Sequence, residues 1–150
     1  MSMLKSAIHP NPEADKELHE FTYAIYPHQG DWREAGTVTQ AYQLNNPLTA
    51  VWKENEEGDQ PAVYSLVSSN QENAVVEVVK KAEDSEDMIV RLYECYNRRT
   101  PVTLTFPKTL ETVCECNMME EGETPVSFEA NKADFVLKPY EIKTLKVRMR

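Results

Sequence analysis

No apolar run in these 150 residues approaches the roughly 18–20 consecutive residues that a membrane-spanning helix needs, so a membrane partner is not expected. Met1 to Ala7 hold one lysine and no apolar centre, which does not read as a secretory signal. Positive charge is scarce as well. Sixteen Lys and Arg against 25 acidic residues leave a formal net charge of -9, a field that repels nucleic acid unless a local basic patch overcomes it. The nearest such patch, Asn97-Arg98-Arg99, lies between two strand-like runs and reads as a solvated turn. Nucleic acid is therefore not an expected partner. Cysteine is limited to Cys95, Cys114 and Cys116, an odd number that argues against an obligatory disulfide framework and fits a reducing cytoplasm. The chain also lacks a G-x-S-x-G elbow, a phosphate loop, an H-E-x-x-H zinc motif, any internal repeat and any low-complexity segment.

What is present is an ordinary globular balance, 27% charged and 41% hydrophobic, with enough length to bury one good core. The stretch from His19 to Pro47 organises the first part. His19, Phe21, Tyr23 and Ile25 alternate with Glu20, Thr22 and Ala24, which predicts a strand with one buried face over 21–25. Pro27-His28-Gln29-Gly30 breaks it. Asp31 followed by Glu34 resembles a capping box, and Trp32, Ala35, Val38 and Tyr42 recur at helical spacing, so a helix is expected from Asp31. Asn45-Asn46-Pro47 ends that helix, because proline cannot continue it.

On either side the reading is simpler. Residues 1–16 are loop-like, with Pro10 and Pro12. Residues 53–60 turn acidic, lose periodicity and read as a linker, which divides the chain into 1–52 and 61–150. Strands are expected at Ala62–Ser68, Ala74–Ala82, Met88–Tyr96, Val102–Phe106, Thr112–Met118, around Val126 and Phe128, at Phe135–Leu137 and at Tyr140–Met149. A phase shift between Ile142 and Leu145 suggests a bulge near Thr144. Short strands at near-regular spacing with no second helical pattern predict a mainly β chain, an antiparallel, immunoglobulin-like sandwich preceded by a strand and one connecting α-helix.

Residues that could carry chemistry each have a plainer structural reading. His9, His19 and His28 match no standard metal spacing. His28 with Asp31 either forms a metal or sugar contact or ties the strand-to-helix corner, and Asp is a preferred cap. Cys114-Glu115-Cys116 is not the C-x-x-C of redox or zinc sites, and both sulfurs are expected to point into the core. A glycosidase carboxylate pair is not excluded by counting, yet Glu54, Glu56, Glu57, Glu83 to Asp87, Glu120, Glu121 and Glu123 fall in turns, where solvation explains them. Trp32, Trp52, Tyr23, Tyr26, Tyr64, Tyr93, Tyr96 and Tyr140 could stack on sugars, though their spacing suits core or interface filling. Trp32 is the strongest interface candidate.

The wording of several segments is similar to one enzyme family. His19 to His28 (HEFTYAIYPH) followed by Gly30 to Ala35 (GDWREA) closely resembles the last strand of the large C-terminal β-domain of family 38 α-mannosidases and the helix after it. Met3-Leu4-Lys5-Ser6, Pro10 to Asp15 and His19 follow that family's preceding loop, with Lys5 and Lys16 in place of arginines and Glu17 in place of a glycine. Lys80 to Glu94, Asn117 to Glu121 and Phe135 to Leu145 resemble three further segments in the same order. The resemblance implies a retaining, metal-dependent α-mannosidase, usually with zinc, whose nucleophile and metal ligands sit on a catalytic barrel whose motifs are not found here. This chain is then expected to be a structural accessory region, inactive alone, whose partners are that barrel and the large β-domain and, indirectly, mannose-containing glycans. Residues 1–52 would close the large β-domain. Asp15, Lys16, His19, His28, Asp31 and Trp32 are the candidate interface or sugar-edge residues. A free-standing carbohydrate-binding or protein-interaction sandwich is the alternative, and an independent small enzyme is the third reading. If the parent sheet is missing, strand 21–25 has an open edge and could pair two copies into a homodimer.

Overall fold

A computed structural model describes residues 4–54, 58–59 and 61–150; part of the expected linker, together with Met3, Glu56 and Glu57, lies outside that set. Its elements are one helix, α1 (Thr37–Asn45), and nine strands: β1 (Ser68–Ser69), β2 (Ala74–Lys81), β3 (Met88–Glu94), β4 (Thr100–Thr105), β5 (Leu110–Cys116), β6 (Thr124–Pro125), β7 (Ser127–Glu129), β8 (Lys132–Leu137) and β9 (Ile142–Met149). All strand pairs are antiparallel. One sheet has the order β1-β4-β8-β7 and the other β2-β3-β9-β5-β6, so β9, the last strand of the chain, is the centre of the larger sheet.

Alternation decides what each strand buries. Val102, Leu104 and Phe106 from one sheet meet Val90, Leu92, Val113, Leu145 and Val147 from the other in a single core, with Ala133 and Leu137 of β8 beside them. Burial of such aliphatic and aromatic side chains stabilises by about 1.5–3 kcal/mol each relative to exposure. The chain is a mainly β sandwich preceded by one helix, as the pattern predicts.

Four local expectations are corrected. No strand forms at 21–25: Phe21, Tyr23 and Ile25 are exposed, Ile25 at 88%, because no other strand among the described residues lies beside them to complete a hydrogen-bond ladder. Of Ala62–Ser68 only Ser68 pairs, against Thr105, for the same reason. The bulge at Thr144 is absent, since β9 pairs in unbroken register with β3; Ile142 simply faces outward, opposite to the inward row of Leu145 and Val147. Register breaks occur instead at Val76/Val78 and Leu110/Thr112.

The fourth correction concerns the helix. Asp31 and Glu34 do form the reciprocal cap: Asp31 Oδ1 accepts from the Arg33 and Glu34 amides at 2.7 and 3.1 Å, and Glu34 Oε2 accepts from the Asp31 amide at 3.1 Å. That cap opens a single turn. Gly36 ends it in the left-handed region at φ 62°, where its N–H donates to the Arg33 carbonyl and the Thr37 N–H to the Trp32 carbonyl, a Schellman closure. The α-helix proper then begins at Thr37. A Gly36→Ala variant is expected to lose about 1 kcal/mol through this backbone strain alone, since no atom lies within 4 Å of the added Cβ. Chemical denaturation reads it, and an unchanged midpoint would place the turn elsewhere.

Candidate functional site

The residues singled out from the sequence fall into two groups. Asp15, Lys16 and His19 belong to an exposed loop: Lys16 pairs with Glu13 at 2.9 Å, and His19 Nε2 lies 2.8 Å from the Asp15 carbonyl. His28, Asp31 and Trp32 lie at the corner before α1. His28 packs against Tyr26, with ring centroids 5.6 Å apart, and the Tyr26 hydroxyl donates to the Ala35 carbonyl at 3.2 Å. Asp31 is spent on capping. The Glu34 and then Arg33 amides hold its carboxyl below the ordinary range, with the Arg33 guanidinium adding to this.

From this corner two side chains reach the sandwich. Trp32 meets Tyr96 edge-on, with centroids 5.5 Å apart at 89°, and Arg33 lies over the Trp32 ring at 4.5 Å. Arg33 Nε donates to the Tyr96 carbonyl, and the Tyr96 hydroxyl donates to the Arg33 carbonyl, each at 3.1 Å. Tyr96 follows β3, next to a carboxylate that sequence reasoning passed over. Glu94 is 1% exposed, and one oxygen accepts from Asn73 Nδ2 and the Tyr96 amide at 2.7 Å each, the other from the Tyr140 amide at 3.0 Å. Burial alone would raise its pKa. The hydrogen bonds from Tyr140, Asn73, Tyr96 and Arg98 outweigh that, and the net shift is downward.

Many of the acids expected to be merely solvated are bound to strand cations instead. Lys146, almost fully buried, lies 2.9 Å from Asp84 and 3.0 Å from Glu123; Lys80 is shared by Glu83 and Glu120; Arg148 takes Asp87 with both Nε and a terminal nitrogen, at 2.6 and 3.0 Å. Asp84, Asp87 and Glu120 are consequently held below the ordinary carboxylate range, by Lys146, by Arg148, and by the Glu83 amide with Lys80 respectively. A glycosidase general acid needs the opposite shift.

Of the two cysteines expected to point into the core, Cys116 is buried and Cys114 only half-buried. Cys114 and Cys116 pair across to Lys146 and Thr144, on the face opposite to Val113 of the core. Burial pushes both thiols, and that of Cys95, upward, which keeps them protonated and poor nucleophiles. Among the described residues no three His, Cys, Asp or Glu side chains converge on a possible metal position. The donors among the described residues do not fit a zinc site.

Residues 73–145 match the glycosyl hydrolases family 38 C-terminal beta sandwich domain. These residues of the chain correspond to that sandwich domain. It is 31% identical over 151 residues to "Alpha-mannosidase G" of Dictyostelium discoideum and 29% identical to "Alpha-mannosidase 2C1" of Mus musculus and of Homo sapiens, with 97% of this chain aligned in each case. The alignment spans 14% of the length of each of these relatives. The family 38 match lies wholly within the sandwich, while the alignments to the relatives also take in the Trp32 corner.

Proposed function

We propose that this chain is the C-terminal accessory part of a retaining, metal-dependent family 38 α-mannosidase, structural in role and inactive alone. One observation carries the reading. Fourteen of the twenty-one large apolar side chains exposed in the described residues lie at or before Leu66, among them Leu18, Ile25, Val51 and Trp52, the last at 92%. Single exposed apolar residues are ordinary, but a concentration of this kind marks a surface meant to be covered. The alternation at 19–25 supplies a strand's face without a sheet, and an apolar groove between Ile25 and α1, lined also by Ala24, Ala41 and Leu44, lies beside it. In this reading residues 1–52 complete the enzyme's large β-domain, 53–60 link it to the sandwich at 61–150, and the catalytic barrel supplies the nucleophile and zinc. Mannose-containing glycans are then contacted by the whole enzyme. Three free thiols support a cytoplasmic setting.

An antibody raised against this chain, used on the source cells, tests the proposal. A polypeptide several times heavier than 17.2 kDa, whose depletion removes α-mannosidase activity, is the expected result. A species at 17.2 kDa with no linked activity overturns it and favours the free-standing sugar-binding or protein-interaction sandwich, in which pairing of two copies through 21–25 would cover the same apolar face.

A further inference from the structure

We infer that Glu94 positions the seam between the sandwich and the segment before it, by fixing Tyr96 where Trp32 and Arg33 dock. Glu94 ends β3, and its carboxylate gathers three separate stretches of chain: Asn73 before β2, Tyr96 in the β3–β4 turn and Tyr140 in the β8–β9 turn. Asn73 is itself held, since Nδ2 also reaches Thr100 Oγ1 at 2.7 Å and its carbonyl accepts from the Cys95 amide at 3.0 Å. The Glu94 amide donates to the Glu141 carbonyl at 3.0 Å.

A buried charge held in this way is costly to disturb and leaves its ligands little freedom. The consequence falls on Tyr96. With its amide pinned to Glu94, its carbonyl meets Arg33 Nε, its hydroxyl meets the Arg33 carbonyl and its ring meets the edge of Trp32. Glu94 touches neither Trp32 nor Arg33 through any hydrogen bond of its own, and acts through Tyr96. The inference concerns contacts within this chain and stands whether or not the accessory role holds.

Glu94→Gln is the decisive substitution, because it keeps the size and removes one acceptor. Whichever way the amide turns, its NH2 group faces an N–H donor, either Tyr140 or the pair from Asn73 and Tyr96. The test uses the full chain carrying Trp52→Phe, so that Trp32 is the sole tryptophan. Glu94→Gln is expected to shift Trp32 emission to the red and to raise its acrylamide quenching to the level of the urea-unfolded chain, while the far-ultraviolet β signal persists. Val102→Ala, a core deletion on β4 of the opposite sheet, is expected to lower Tm with Trp32 unchanged, which separates positioning from plain stability. Should Glu94→Gln fail to fold, Asn73→Ala removes a single donor to the carboxylate and is expected to give the same red shift. A folded Glu94→Gln or Asn73→Ala chain whose Trp32 is as protected as in the parent overturns the inference.

Discussion

Replacing Phe106 by alanine is expected to cost about 3–5 kcal/mol, a third or more of the stability of an ordinary domain. Phe106 is 2% exposed and is the largest of the fully buried side chains. It follows β4 at the edge of the core, where its amide donates to the Asn131 carbonyl at 3.0 Å and its carbonyl accepts from Asn131 Nδ2 at 2.7 Å. Those two bonds hold the backbone in place, so the surrounding core cluster is expected to close only partly over the vacated volume. The cost then sits towards the upper end of its range, because the cavity term survives. Thr105→Ala, one residue earlier and facing outward, is expected to change stability by less than about 0.5 kcal/mol. Equilibrium denaturation of both variants with an unchanged m-value makes the comparison. Equal losses for the two would show that the alternation along β4 has the wrong phase.

That phase was readable without coordinates. From β2 onward each interior strand alternates, or is apolar on both sides, and the sheets form where the alternation says they do. The same rule misleads at 19–25, and the reason is physical. Alternation reports that a face is to be buried; it does not report that the burying partner lies in the same stretch of chain. Phe21, Tyr23 and Ile25 satisfy the pattern and remain exposed. Gly36 carried a usable signal, since a glycine inside a helical pattern is a candidate stop, and it does stop the first turn. Trp32 stood out as a large aromatic at a helix start, whereas its partner Tyr96 looked like one more strand residue. Glu94 had no local signal at all. Its donors are 2, 4, 21 and 46 residues away, so its burial becomes visible only after three turns have converged. The acids of 83–87 and 120–123 were legible as turn residues but not as partners of Lys80, Lys146 and Arg148, because all of these pairs except Lys80 with Glu83 join residues distant in the chain.

The same network predicts the shape of the pH dependence. Asp84, Asp87, Glu94 and Glu120 all have folded-state pKa values below their ordinary values of 3.8 for Asp and 4.5 for Glu. Between the two states the unfolded chain therefore binds more protons as the medium is acidified, and stability rises with pH across that range. The contribution is fully present above about 4.5 and is lost as pH falls through the lowered folded values. At the alkaline side the order is reversed. The thiols of Cys95, Cys114 and Cys116 lie above 9.0 and the ammonium groups of Lys80 and Lys146 above 10.5 in the folded state, so the folded chain holds protons that the unfolded chain releases. Stability then falls as pH rises beyond about 9. Urea midpoints measured from pH 3 to 11 are expected to give a plateau with a steep acid limb and a later alkaline one. Midpoints that increase from pH 5 to pH 3 would contradict the ion pairs. The acid limb should be shallower in a folded Glu94→Gln chain, because that variant has lost the most deeply buried carboxylate among the described residues, one held in its ionised form by uncharged amide N–H groups.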